Sequence, residues 1–187
     1  EHVDRALDGA AGGPVAEGNV GGGTGMICHE FKCGIGTASR RVEIAGQSFV
    51  AGALVQANYG TRETLTIAGV PIGKNLPVDA SRAPAPGGDS GSIIVVLATD
   101  APLLPHQLKR VARRAALALG RMGSFAGNGS GDLFIAFSTA NAAALSGVPV
   151  AHSTSLANDG LDPLFLAVVQ ATEEAIVNAL VAARDMQ

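Results

Sequence analysis

The most regular alternation of hydrophobic and polar positions runs from Val42 and Ile44 through the segment 49–58 (FVAGALVQAN). Its small and β-branched residues predict a buried strand. A second short strand is expected at 64–68. The unbroken run 92–98 (SIIVVLA) predicts another, short and apolar enough to be buried on both faces. Downstream the period changes. Leu108, Val111, Ala112, Ala115 and Leu119 recur at helical spacing, with Lys109, Arg110, Arg113 and Arg114 on the other side, so an amphipathic helix is expected, opened by Pro105 and closed near Gly120. Its cations are read as a solvated face, with an oligomer contact as the alternative. A further strand is expected at 133–138. The last long helix opens with Asp162 and Pro163 as a capping pair and carries Phe165, Val168, Val169, Ile176 and Leu180 on one stripe, which should pack on the sheet. Between these elements, 14–36 is broken by glycine too often for a helix and reads as loop and strand. The segment 71–91, with Pro71, Pro77, Pro84 and Pro86, reads as linker in which no packed element belongs.

Composition agrees with a folded interior. Of 187 residues, 47% are hydrophobic and 16% charged, which excludes disorder as the main state. Acidic residues (16) outnumber Lys and Arg (13), so a dedicated nucleic-acid binder is not expected. No run reaches the roughly 18 consecutive apolar residues of a membrane span, and 1–13 lacks the apolar core of a signal peptide, so a soluble chain without a membrane partner is expected. Cys28 and Cys33 supply neither a disulfide framework nor a thiolate zinc site. They are expected to be packing residues, and a reducing compartment, the cytoplasm, follows.

Two glycine-rich features invite a ligand and are set aside. The loop 18–25 (GNVGGGTG) lacks the Lys-Ser ending and following helix of a phosphate-binding loop, and is read as letting the backbone pass close to the 91–92 junction. His29 and Glu30 resemble half of a zinc helix, but no second histidine follows four residues later. Neither a metal nor a cofactor is expected.

The chemistry concentrates at GGDSGSIIVV, where the linker delivers two serines to the start of a buried strand. GDSGS can be compared with the GDSGG of trypsin-like proteases, making Ser90 the nucleophile, but two long helices follow it and only His2 and His29 precede it. Alternatively Ser92 cuts its own bond to Gly91, and the amine released serves as its base in place of histidine. Glycine is the least hindered residue to precede such a nucleophile.

The blocks GNVGGGTGMICHEFKCGIGTASR (18–40), VQANYG (55–60), GSIIVVLATDAPLLPHQLKRVARRAALALGR (91–121) and NGSGDLFIAFSTAN (128–141) occur in an order that resembles the DmpA-type aminopeptidases. This is the P1 peptidase family of L-aminopeptidase/D-esterases and β-peptidyl aminopeptidases. The resemblance implies an αββα four-layer sandwich of the N-terminal-nucleophile-hydrolase type, autocleavage between Gly91 and Ser92, and Ser92 as nucleophile. It also implies support of Ser92 by Ser130 and Asp132, and an oxyanion contact from Asn58. Short peptides, amides or esters are the implied substrates, and a homo-oligomer of αβ units is the implied assembly. Members are about twice this long, so the chain is expected to be a partial single domain. Residues 1–91 then belong to the α-chain region, and 92–187 to the β-chain region that begins at the nucleophile. Tyr59, the single tyrosine, is not given the role of the family tyrosine that precedes these blocks. The structural alternatives are turn roles for Ser92, Ser130, Asp132 and Asn58. The alternative function is a non-catalytic binding or assembly module.

Overall fold

The computed structural model describes residues 1–76, 91–142, 147 and 149–186. After a short exposed helix α1 (His2–Asp8), the chain forms a small hairpin of β1 (Ile27–Cys28) and β2 (Phe31–Lys32). It then builds a four-stranded sheet of β3 (Ile35–Ile44), β4 (Gln47–Asn58), β5 (Ser92–Thr99) and β6 (Leu133–Ser138), in that spatial order. The pairs β3–β4 and β4–β5 are antiparallel, whereas β5 and β6 are parallel and joined through helix α3 (Pro105–Arg121). Helix α4 (Asp162–Ala182) closes the chain. The single stretch of alternation in the sequence is thus two strands. Ala45 and Gly46, with φ of 52° and 75°, make the two-residue left-handed turn between them, whose twist suits a hairpin.

Both long helices lie on one face of the sheet. Val55, Ile93, Val95 and Leu97 point into that layer and meet Val111, Ala115 and Leu119 of α3 and Leu164, Val168, Ala171 and Ile176 of α4, all buried. With 21 residues, α4 is long and apolar enough to cross a membrane by length and composition; here that apolarity is used in packing against β3 and β4. Asn178 fixes the contact by donating from Nδ2 to the Thr37 carbonyl at 2.8 Å. The interface between the helices is tied by the Arg121–Glu173 ion pair at 2.8 Å and by Arg114, whose guanidinium lies 3.9 Å from the centre of the Phe165 ring. Arg110 approaches the same ring at 5.0 Å. Two of the four helix cations therefore join α3 to α4 by cation–π contact instead of forming a solvated face; Lys109 and Arg113 are exposed.

Several expectations need correction. The strand expected at 64–68 is absent: Arg62–Thr64 is a 3-10 turn, and only an isolated bridge joins Ile67 to Val70. Bonds from Thr66 N–H to the Met122 carbonyl and from Gly73 N–H to the Leu65 carbonyl take the backbone into loop packing instead. The expected linker opens with a one-turn helix, α2 (Ile72–Asn75), and the rest of it, including Ser90, lies outside the described residues. Helix α4 begins without a side-chain cap, so Asp162 and Pro163 start it through the favourable φ of proline alone.

The run 92–98 is buried on its helix side only. Ile94 is exposed, as are Val50, Leu133, Ile135 and Phe137 along the other face of the sheet. Finally, Cys28 and Cys33 are joined as a disulfide and fully buried, so they are not free packing thiols. The tight β1–β2 turn brings their Cα atoms to 5.5 Å, a span that a disulfide bridges, and with that the ground for inferring a reducing compartment is lost.

Candidate active site

Ser92 is the first residue of β5 and pairs across the sheet with Asn58, the last residue of β4. Paired residues share a face, and alternation from the buried Ile93 puts both side chains on the face that the helices leave open. The Ser92 hydroxyl oxygen accepts a hydrogen bond from the Gly131 N–H at 2.8 Å. Asp132 follows, and its Oδ1 accepts from the Ile93 N–H at 3.1 Å, which holds the backbone immediately after Ser92. Ser130 sits in the same turn, closed by its own N–H to the Gly127 carbonyl at 2.8 Å.

All four residues singled out from the sequence thus meet at one end of the sheet. The direct hydroxyl contact comes from the backbone of Gly131, which sequence reading did not name. A main-chain donor leaves no side-chain signal; only the glycine between Ser130 and Asp132 hints at it.

Gly91 has a second reason to be glycine. A Cβ there would lie 1.9 Å from the Asn58 carbonyl oxygen and 3.0 Å from the Tyr59 Cα, so any side chain would push the residue off the end of β4. The bond between Gly91 and Ser92 is thereby held against the end of the strand that carries the asparagine.

On the Asn58 side, the carboxamide oxygen accepts from the Ile27 N–H at 3.1 Å. Tyr59 is buried and its ring meets that of His29 edge-on, with centroids 5.0 Å apart, which makes it a packing residue. The glycine loop 18–25 packs against β4 and the start of β3: a Cβ on Gly22 would lie 2.3 Å from Gln56 Oε1, and one on Gly34 would lie 1.9 Å from the Gly18 carbonyl oxygen. A cleft of about 460 Å³ is lined by Leu119, Phe125, Ser130, Asp132 and Phe134.

Ser92 stands at the head of a central strand backed by a helical layer, an α/β arrangement, and the fold it resembles among solved structures is that of the Ntn hydrolases. The chain belongs to peptidase family S58, whose model matches residues 1–187. It is 54% identical over 197 residues to the beta-peptidyl aminopeptidase BapA of Sphingosinicella microcystinivorans, covering 98% of this chain and 49% of that protein. Among solved structures it resembles the L-aminopeptidase D-Ala-esterase/amidase of Ochrobactrum anthropi, described as a prototype for the serine aminopeptidases and a variant of the Ntn hydrolase fold. That match has a TM-score of 0.87 and 54% identity, over 98% of this chain and 50% of the other. A β-aminopeptidase of Burkholderia sp. matches with a TM-score of 0.84 and 51% identity over the whole of this chain and 52% of its own length. The chain therefore spans about half the length of the relatives it matches.

Proposed function

We propose that the protein to which this chain contributes is a self-processing serine aminopeptidase that releases N-terminal residues from short peptides, amino-acid amides or esters. The observation that carries the reading is Ser92 at the head of β5, opposite Asn58, with its hydroxyl held by Gly131 N–H and its scissile bond pinned by Gly91. The named activities of the relatives supply the substrate class and favour an enzyme over an assembly module.

In this reading the Ser92 hydroxyl attacks the Gly91 carbonyl, and the acyl group moves from the Ser92 nitrogen to its oxygen. Water then hydrolyses the ester, leaving a carboxylate on Gly91 and a free α-amine on Ser92. In turnover that amine takes the hydroxyl proton as the oxygen attacks the substrate acyl carbon. The proton passes to the departing amine or alcohol, and water releases the acyl group. The Asn58 amide donates to the tetrahedral oxygen. Ser130 holds the terminal amine, while Asp132 fixes the first residues of β5 and offsets the positive charge that the amine gains. Assembly as a homo-oligomer of αβ units belongs to the same proposal.

Mass spectrometry of the purified full-length protein tests the reading. Two chains divided at Gly91–Ser92, and a single inactive chain for Ser92→Ala, are the expected results. An uncut, active wild-type protein would refute it.

A further inference from the structure

Asn58 must present its NH₂ group in one direction to act on an oxyanion, and a terminal amide torsion is soft. The group that sets its direction lies outside the sheet. The Ile27 N–H donates to Asn58 Oδ1 at 3.1 Å, so the oxygen is turned towards β1 and the NH₂ away from it. Two residues on, the His29 N–H donates to the Tyr59 carbonyl at 2.7 Å. The β1–β2 hairpin is thus laid along the end of β4 and grips both the asparagine side chain and the backbone that follows it.

That hairpin is unfavourable by itself. Cys28 pairs with Phe31, and the two residues between them, His29 and Glu30, have φ of 49° and 65°. Two-residue turns of this hand normally carry Asn, Asp or Gly, because L side chains with a full Cβ crowd the backbone there. Strained, non-glycine turns persist only where their surroundings hold them. Here the restraints are several: the buried Cys28–Cys33 disulfide, the Lys32 ammonium on the carbonyls of Thr24 (2.6 Å) and Met26 (3.0 Å), and the His29 Nδ1 contact to the Thr61 carbonyl at 3.0 Å. The disulfide is the covalent one. It joins the residue after Ile27 to the residue after β2, closing the loop 28–33 directly after the Ile27 N–H that orients Asn58.

We propose that the Cys28–Cys33 disulfide makes these two cysteines positioning residues, whose function is to hold the Ile27 N–H against Asn58 and so fix the direction of the catalytic amide. This inference rests on the oxyanion role proposed for Asn58. It predicts that loss of the disulfide acts on the transition state, through Asn58, more than on substrate binding or on the fold.

The experiment is a double-mutant cycle in the full-length protein with a chromogenic aminoacyl amide. Cys28→Ser with Cys33→Ser is expected to lower kcat roughly ten- to hundredfold, the scale of a misplaced catalytic group, with KM changed less than about twofold. In an Asn58→Ala background the same pair is expected to change kcat less than about twofold, because the group it positions is gone. Adding Glu30→Gly, which relieves the left-handed turn, is expected to restore part of the lost rate in the cysteine variant.

An unchanged kcat in the folded cysteine variant, or an equal loss with and without Asn58, overturns the proposal. A cysteine variant that does not fold also overturns it, because the disulfide would then act on the fold instead of on the Asn58 amide. If the parent protein shows no Ser92-dependent turnover, the proposed function fails. The positioning claim is then read from crystal structures of parent and cysteine variant: loss of the Ile27–Asn58 contact supports it, and retention overturns it.

Discussion

The two faces of the sheet are built from the same strands and do different work. On the helix side, Ile93, Val95 and Leu97 of β5 are sealed beneath α3 and α4. On the other side β5 carries Ser92 and then Ile94, beside Asn58 of β4 and the exposed Leu133, Ile135 and Phe137 of β6. One face holds the fold together; the other holds the candidate chemistry and a band of apolar surface larger than a solvated face needs. An apolar run is therefore not evidence of burial within the chain that carries it. β5 has the composition of a strand covered on both sides, and the chain spans about half the length of its relatives.

This division between a structural and a chemical face is most exposed to test at Ser92. In the full-length protein Ser92→Ala is expected to abolish both chain cleavage and turnover, and residual activity on an aminoacyl amide would move the chemistry off this face. With wild-type protein, turnover is expected to fall as pH drops below about 7.7–8.0, the ordinary range of an α-amine, because only the neutral amine accepts the hydroxyl proton. A pH–rate profile flat through that range would exclude the amine as base.

On the helix face, Leu97→Ala is expected to cost about 2–5 kcal/mol in urea unfolding, as for other fully buried leucines. Ile135→Ala is its counterpart on the open face. In residues 1–187 alone it is expected to stay within about 0.5 kcal/mol, as for exposed positions. A loss close to that of Leu97→Ala in the full-length protein would show that the open face is covered there. Asn58→Ala is expected to lower kcat by roughly 10²–10³-fold, about 2.7–4 kcal/mol, with the unfolding midpoint nearly unchanged. A large stability loss would return Asn58 to a structural role.

A smaller effect than that of Leu97 or Asn58 concerns the helix pair. Arg114→Ala, which removes the contact with Phe165, is expected to cost about 0.5–2 kcal/mol, and Arg113→Ala on the exposed side less than about 0.5 kcal/mol. Equal values would mean that the α3–α4 interface does not depend on the cation.

Much of this was legible beforehand where one period ran long enough to identify itself. β5, β6, α3 and α4 fall within a residue or two of their expected limits, because each is long or strongly patterned. The turn at Ala45 and Gly46 was hidden by alternation that continues through it. The segment 64–68 has strand-like residues but no neighbour to pair with, and pairing is what makes a strand. At the site, Ser92, Asn58, Ser130 and Asp132 could be selected by type and by resemblance. Their convergence depends on the registers Asn58 with Ser92 and Ile94 with Leu133, and Gly131 enters only through its backbone.

Local spacing and side-chain chemistry were enough to specify the α/β alternation, the helix stripes and the serine at a strand's first residue. Which face of each strand is covered, that Cys28 meets Cys33, and that Ile27 aims the Asn58 amide were settled only by the folded chain. Those outcomes depend on which backbones are brought into contact: the cysteines meet through the local β1–β2 turn, and the strand faces and the Ile27–Asn58 contact come from segments far apart in the chain, which no local period encodes.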